Sequence, residues 1–253
     1  MSIIKSGDIF PTNENETVKV IEYKNCHKII VEHQDEFKYT RSVAAKELRN
    51  RAIKNPFRKS VCGVGYLGVG EHKATVKGKR TKAYTAWSSM LSRVHPTKTI
   101  EHYRTYENCS VEKDWYNFQN FADWFYQQPN WDKKGFQLDK DLIIIGNKHY
   151  GPKTCSLLPS QINSLLIDSK NIRGDLPMGV SKLGEKYQAH VKQKNYLKHI
   201  GTYSTVEEAR VCYIEAKKQQ IKRTAEKYKD VIDSRVYHNL INWTGDAIKI
   251  KEK

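Results

Sequence analysis

The chain has 253 residues, with 44 Lys and Arg against 28 Asp and Glu, a formal charge of +16. That excess favours a polyanionic partner through phosphate contacts and counterion release, and the length exceeds the usual domain of about 100–150 residues, so several modules are expected. No apolar run reaches the roughly 18 residues that span a bilayer and the N-terminus lacks a signal-peptide core, which excludes a membrane protein as the expectation and points to the cytoplasm.

Five cysteines (Cys26, Cys62, Cys109, Cys155, Cys212) are scattered without a C-x-x-C pair, which argues against a disulfide framework or a zinc ribbon and for reduced, mostly buried thiols. Residues 17–23 and 27–33 run apolar or alternating about Lys24-Asn25, the pattern of a β-hairpin. A third strand at 37–40 and a helical turn at 43–51 complete a small SH3-like β-barrel over residues 1–58. Residues 59–82 read as a basic, glycine-containing linker. From residue 38 to 82 thirteen Lys/Arg face only Glu47 and Glu71, and Lys77, Lys79 and Arg80 are candidates for tracking a DNA backbone.

Gly63-Val64-Gly65-Tyr66-Leu67-Gly68 matches a dinucleotide fingerprint only as a string. That fingerprint needs a preceding strand, a helix opening within it and an acidic residue about 20 positions on, whereas Lys77-Gly78-Lys79-Arg80 follows. The glycines are read as a flexible bend. Residues 83–94 (Trp87, Met90, Leu91, Val94) and 115–126 (Trp115, Phe118, Phe121, Ala122, Phe125) show three- and four-residue apolar spacing, so two helices with core-facing aromatics are expected.

Gln137-Leu138-Asp139-Lys140-Asp141 reads as a strand ending in a carboxylate. A polar loop with Gly146-Asn147-Lys148 and Tyr150-Gly151-Pro152-Lys153-Thr154-Cys155, a second strand and a helix opening at Pro159 follow. This order can bring Asp139 and Asn163 together as oxygen donors to a hard cation such as Mg2+ or Mn2+, which beside a phosphodiester would stabilise the leaving oxygen. Residues 169–176 read as a linker. In 177–230, Tyr187, Ala189 and Val191 alternate with Lys186, Gln188, His190 and Lys192, and Thr205 with Glu208 forms a capping box opening a helix to about Tyr228. Residues 231–253 read as a basic tail.

The segment 83–168 resembles the strand–strand–helix metal core of HNH endonucleases, in the divergent form common in bacteriophage genomes. The resemblance implies Asp139 and Asn163 as metal ligands, with Thr154 where an asparagine often sits. It puts Lys140 where the general-base histidine is expected. A lysine near its ordinary pKa of about 10.4 is protonated at neutral pH and takes no proton unless desolvation or nearby positive charge lowers that value. His149 or Asp141 is the alternative group to activate water.

Met178-Gly179-Val180-Ser181, residues 186–191, His199-Ile200-Gly201-Thr202-Tyr203 and the capped helix resemble an AP2-type DNA-binding domain, which implies a three-stranded sheet on one helix. Lys182, Lys186, Gln188, His190, Lys192 and His199 are its candidate base- or phosphate-contacting residues. The combined expectation is an α+β multidomain, metal-dependent endonuclease on double-stranded DNA, site-specific or homing-like, acting in the cytoplasm of a phage-infected bacterial host. The alternative is a catalytically inactive, HNH-derived DNA-binding regulator or inhibitor with a protein partner. RNA is the weaker polyanion candidate.

Overall fold

The computed structural model describes residues 3–96, 106–168, 175–193, 196–245 and 249–250. Strands β1 (Ile9–Pro11), β2 (Thr17–Asn25), β3 (Lys28–His33) and β4 (Thr40–Val43) form an antiparallel meander in chain order. Val18, Val20, Ile29, Val31 and Val43 point inward, and helix α1 (Ala45–Arg49) covers them with Ala45 and Leu48. The hairpin turn falls at Cys26-His27, beyond the Lys24-Asn25 expected, because the Asn25 Oδ1 accepts from the His27 amide at 2.9 Å. The expected barrel does not form. A three-residue β1 and a four-residue β4 stay at opposite edges of the sheet, and a helix rather than a further strand closes the core.

The basic segment 59–82 is packed rather than extended. Tyr66 donates its amide to the Tyr116 carbonyl at 3.0 Å and accepts from the Phe118 amide at 2.9 Å. Its ring stacks into a cluster with Phe37 and Phe57. Gly65 lies against Trp87 and Leu91, and Gly68, at φ +70°, lies against Asn117; a Cβ at either position would clash. These glycines are therefore close-approach positions and not a flexible bend. Strands β5 (Thr75–Val76) and β6 (Lys79–Arg80) make a hairpin whose two turn residues, Lys77 and Gly78, both have positive φ.

Helix α2 (Lys82–Val94) starts at Thr81, whose Oγ1 accepts from the Tyr84 amide at 3.2 Å, and buries Trp87, Met90 and Leu91. The helix expected over 115–126 splits: Lys113–Tyr116 is a 3₁₀ turn and α3 (Phe118–Gln127) begins after Asn117, whose side chain accepts from the Gln119 amide. Trp115, Phe118, Phe121, Ala122 and Phe125 are buried, as a core-facing stripe requires.

Strand β7 (Ser110–Val111) pairs in parallel with β9 (His149–Tyr150), while β8 (Phe136–Asp139) pairs antiparallel with β10 (Ser156–Pro159) and helix α4 (Ser160–Asn163) follows. Strand β11 (Ile167–Asp168) comes next; most of the linker expected at 169–176 lies outside the described residues.

Strands β12 (Val180–Leu183), β13 (Lys186–Gln193) and β14 (Tyr196–Tyr203) form an antiparallel sheet under helix α5 (Val206–Tyr228). The expected capping box is present. Thr205 Oγ1 accepts from the Glu208 amide, and Glu208 Oε2 accepts from the Thr205 amide at 3.1 Å.

Helix α5 belongs to two cores. Its first half packs Ala209 and Tyr213 on Val180, Ala189 and Val191, and its second half carries Ile221 and Ala225 into a cluster with Leu142, Leu158 and Ile162. The stretch expected as a basic tail forms α6 (Ser234–Ile241), and Ile232, Val236, Leu240 and Trp243 join that cluster. Their spacing of four, four and three is that of one helical face. A final strand, β15 (Lys249–Ile250), pairs in parallel with β11. The five cysteines are unpaired, but only Cys155 is buried, where burial lifts its thiol to about 12. Among the described residues no helix is long and apolar enough to cross a membrane.

Candidate nucleic-acid interface and strand–strand–helix site

On α2, Lys82, Thr85, Ala86, Ser89 and Arg93 recur at the spacing of one helix face, opposite the face that buries Trp87 and Leu91. With Arg80 from β6 and Lys133 and Lys134 from the loop before β8, this face lines a cleft of about 520 Å³. Phe125, Phe136, Leu138 and Leu157 give it apolar walls, and Trp131 stands at its side, 37% exposed. No carboxylate is among its described lining residues. Arg80 and Arg93 are steadied over the rings of Tyr84 and Tyr106, at 5.6 and 5.7 Å, and Lys82 donates to the Asp132 carbonyl. Of the three backbone-tracking candidates Arg80 reaches the cleft, while Lys77 and Lys79 stand exposed on the adjoining hairpin.

The other end of the cleft is the β8–β10–α4 unit, through Gln137 and Asn163. The register sets Gln137 opposite Leu158 and Asp139 opposite Ser156, so these four share one face of the strand pair. Leu158 packs with Ile162 of α4, which puts α4 over that same face. Asn163 accordingly meets Gln137, donating from Nδ2 to Oε1 at 2.8 Å, two residues before Asp139. Asp139 is buried, and its Oδ1 accepts from the amides of Asp141 and Leu142 at 3.0 and 2.9 Å. Across from it the buried Ser156 hydroxyl has no hydrogen-bond partner.

Lys140 is buried and turned into the loop. Its ammonium contacts the Asp141 carboxylate, donates to the Asn147 carbonyl at 3.2 Å and lies 5.7 Å from the Tyr150 ring centre. An ammonium so engaged is a donor with no lone pair to accept a proton. Asn147 organises this loop: its Nδ2 donates to the carbonyls of Lys140 and His149, and its Oδ1 accepts from the His149 amide. Thr154 donates to the His149 carbonyl at 2.8 Å. The His149 ring has Nδ1 2.9 Å from Ser110 Oγ and Nε2 3.5 Å from Glu112. Thr154 and Asn147 thus hold the loop, and His149 is the partly exposed imidazole it presents.

In the C-terminal sheet, Ala189 and Val191 face α5, leaving Lys186, Gln188, His190 and Lys192 on the open face. His199 pairs with His190, their ring centres 5.5 Å apart, and Thr202 pairs with Gln188. Burial and the charge of His199 lower the pKa of His190, whose Nε2 lies 3.1 Å from Ser181 Oγ. Lys182 departs from the expected face: it pairs with Tyr187, which packs toward the helix, so it projects to that side.

Lys82, Arg93, Trp131, Lys133 and Lys134 were not singled out by sequence reasoning, and Gln137 entered it only as the start of the strand that ends at Asp139. For Arg93 the signal was present, in the polar stripe opposite Trp87. For the loop residues no periodicity announces a shared site. Among the described residues no three His, Cys, Asp or Glu side chains cluster as metal ligands. Asp139 stands across the ladder from the orphaned Ser156 hydroxyl, and the Gln137 and Asn163 amides meet one step along the same face; a carboxylate, amide oxygens and a hydroxyl are oxygen donors of the kind a hard cation takes. Comparison with protein-family models, with curated proteins and with solved structures gives no match.

Proposed function

We propose that this chain is a metal-dependent endonuclease of the HNH type that acts on double-stranded DNA. The observation that carries the reading is the basic cleft opening onto the antiparallel pair β8–β10 and the helix behind it, with Asn163 at the shared edge. A phosphodiester backbone drawn along Arg80, Lys82, Arg93, Lys133 and Lys134 would arrive at Gln137 and Asn163, beside the buried Asp139 and Ser156. Asp139 and Asn163 would hold Mg2+ or Mn2+ there; bound, the cation supplies Lewis-acid polarisation of the phosphate and stabilises the leaving oxygen. His149, partly exposed and framed by Ser110 and Glu112, is the group suited to take a proton from water. Lys140 keeps a structural role in the loop.

The open face of β12–β14 would grip duplex DNA in the AP2 manner, with Lys186 and Lys192 on phosphates and Gln188 and His190 at base edges in the major groove. That division of labour fits a site-specific nuclease working in the cytoplasm of a phage-infected bacterium. A second reading, DNA binding without hydrolysis, is favoured by one observation: the ammonium of Lys140 stands in the expected place of the base and is paired with Asp141. Incubating the purified chain with supercoiled plasmid and phage DNA, in magnesium or in excess chelator, separates the two. Nicked or linear product in magnesium alone supports the nuclease; binding without product in either condition supports the second reading.

A further inference from the structure

We infer that the basic cleft takes an unpaired nucleotide of a DNA strand, base inward and phosphates outward. This deepens the nucleic-acid reading above and rests on it. The cleft combines two kinds of surface that a regular duplex cannot use together. Its rim carries five cations and no described carboxylate, which suits phosphate. Its walls are Phe125, Phe136, Leu138 and Leu157, with Leu138 and Leu157 nearly closed off from solvent.

A phosphate gains nothing from such walls, whereas an unstacked base does. In a duplex the base faces are already stacked, and the groove edges cannot enter a recess of about 520 Å³. Trp131 supplies the stacking surface. Its ring is held edge-on by Tyr126 at 4.7 Å between centroids, so it is braced and still exposed at the cleft. Lys133 and Lys134 lie on the same loop, separated from it by the exposed Asp132, and line the same cleft. Stacking on an aromatic face tolerates every base, so the cleft would select for an unpaired nucleotide and not for sequence. Sequence choice then falls to the C-terminal sheet.

The test uses the full chain and fluorescence anisotropy with three labelled DNAs of one length: a duplex, the same duplex carrying one extra unpaired nucleotide, and a single strand. Trp131→Ala should weaken the bulged duplex and the single strand by about tenfold or more and leave the regular duplex within twofold. Trp131→Phe should keep most of the affinity, and a melting curve for each variant guards against a folding defect. Equal loss on all three DNAs in a folded Trp131→Ala variant, or no loss on any, overturns the inference. So does a preference for an RNA single strand over the DNA one. If wild type fails to bind the regular duplex while Trp131-dependent single-strand binding persists, the duplex-nuclease reading falls and this inference stands.

Discussion

The end of β8 with the loop that follows it and the open face of β12–β14 both carry polar groups of a basic chain, yet they use them in different ways. Beside the recess, at the end of β8 and in the loop that follows it, the ionisable side chains are committed within the fold: Asp139 to two backbone amides, Lys140 to Asp141 and Asn147, and His149 to Ser110 and Glu112. On the sheet the bonds are short-range exchanges between neighbours, His190 with Ser181 and His199 with Thr202. A committed group is held in place for chemistry at one position, while a lightly held donor can be redirected to a base edge or a phosphate. Helix α5 joins the two, packing on the sheet with its first half and on the β8–β10 unit with its second.

The largest expected effect tests the end of β8. Asp139→Ala should abolish magnesium-dependent plasmid cleavage while DNA affinity stays near wild type. It should also lower the melting temperature, because it strands two buried amides at about 1–3 kcal/mol each. Asp139→Asn keeps the oxygen acceptor and removes the charge, so it should restore most of the stability and little of the cleavage. Full cleavage by either variant would remove Asp139 from the site.

The shared helix is tested next. Trp243→Ala should destabilise the chain by about 3–5 kcal/mol in urea unfolding, because Trp243 is part of the core that holds Ile221 and Ala225. A loose basic tail would give a change within about 0.5 kcal/mol. By the same packing, deleting 177–230 should disrupt the β8–β10–α4 unit and not leave it intact.

A pair of buried lysines sharpens the contrast further. Lys140 has a carboxylate beside it, whereas Lys217, on α5, donates to the Gln220 amide oxygen at 3.0 Å, and burial, with the charge of Lys192, lowers its pKa to about 8. An unfolded lysine keeps its proton to about pH 10.4, so folding expels a proton between these values. The full penalty is present below pH 8, and stability should rise as pH climbs from about 8 to 10.4, by roughly 3 kcal/mol. Urea midpoints at pH 7 and pH 10 measure this slope. Lys217→Met should flatten it and stabilise the protein at pH 7.

The smallest effect belongs to the sheet. Replacing Lys186 and Lys192 by Gln should lower duplex affinity and reduce the slope of log affinity against log salt by about 0.9 for each phosphate that is no longer neutralised. An unchanged slope would move phosphate binding wholly to the cleft.

Much of this architecture is legible in the chain. The alternation at Tyr187, Ala189 and Val191 and the Thr205–Glu208 box announce the third sheet and its helix because both signals are local. The aromatic stripes on α2 and α3 are legible for the same reason, as their period is that of a single element. Illegible were the open edge of the N-terminal meander, the face taken by Lys182, and the tail. Barrel closure depends on whether β1 can meet β4, and the side taken by an edge-strand residue depends on register. Residues 231–253 look basic in composition, while the stripe of Ile232, Val236, Leu240 and Trp243 needs a partner surface before it counts as core.

The sequence by itself determined a basic, mixed α/β chain with an excess of cations, two aromatic core helices, a strand ending at Asp139 and a capped long helix. Each follows from charge count or from periodicities of two and 3.6 residues, which act over a few neighbours. Only the tertiary structure decided that Asp139 points into its own turn, that Lys140 pairs with Asp141, and that Arg80, Arg93, Trp131 and Lys134 meet around one cleft. Those outcomes join segments up to more than fifty residues apart in the chain. They are set by which packed surfaces exclude water and by which strand register leaves each side chain facing the cleft, and no local pattern encodes either.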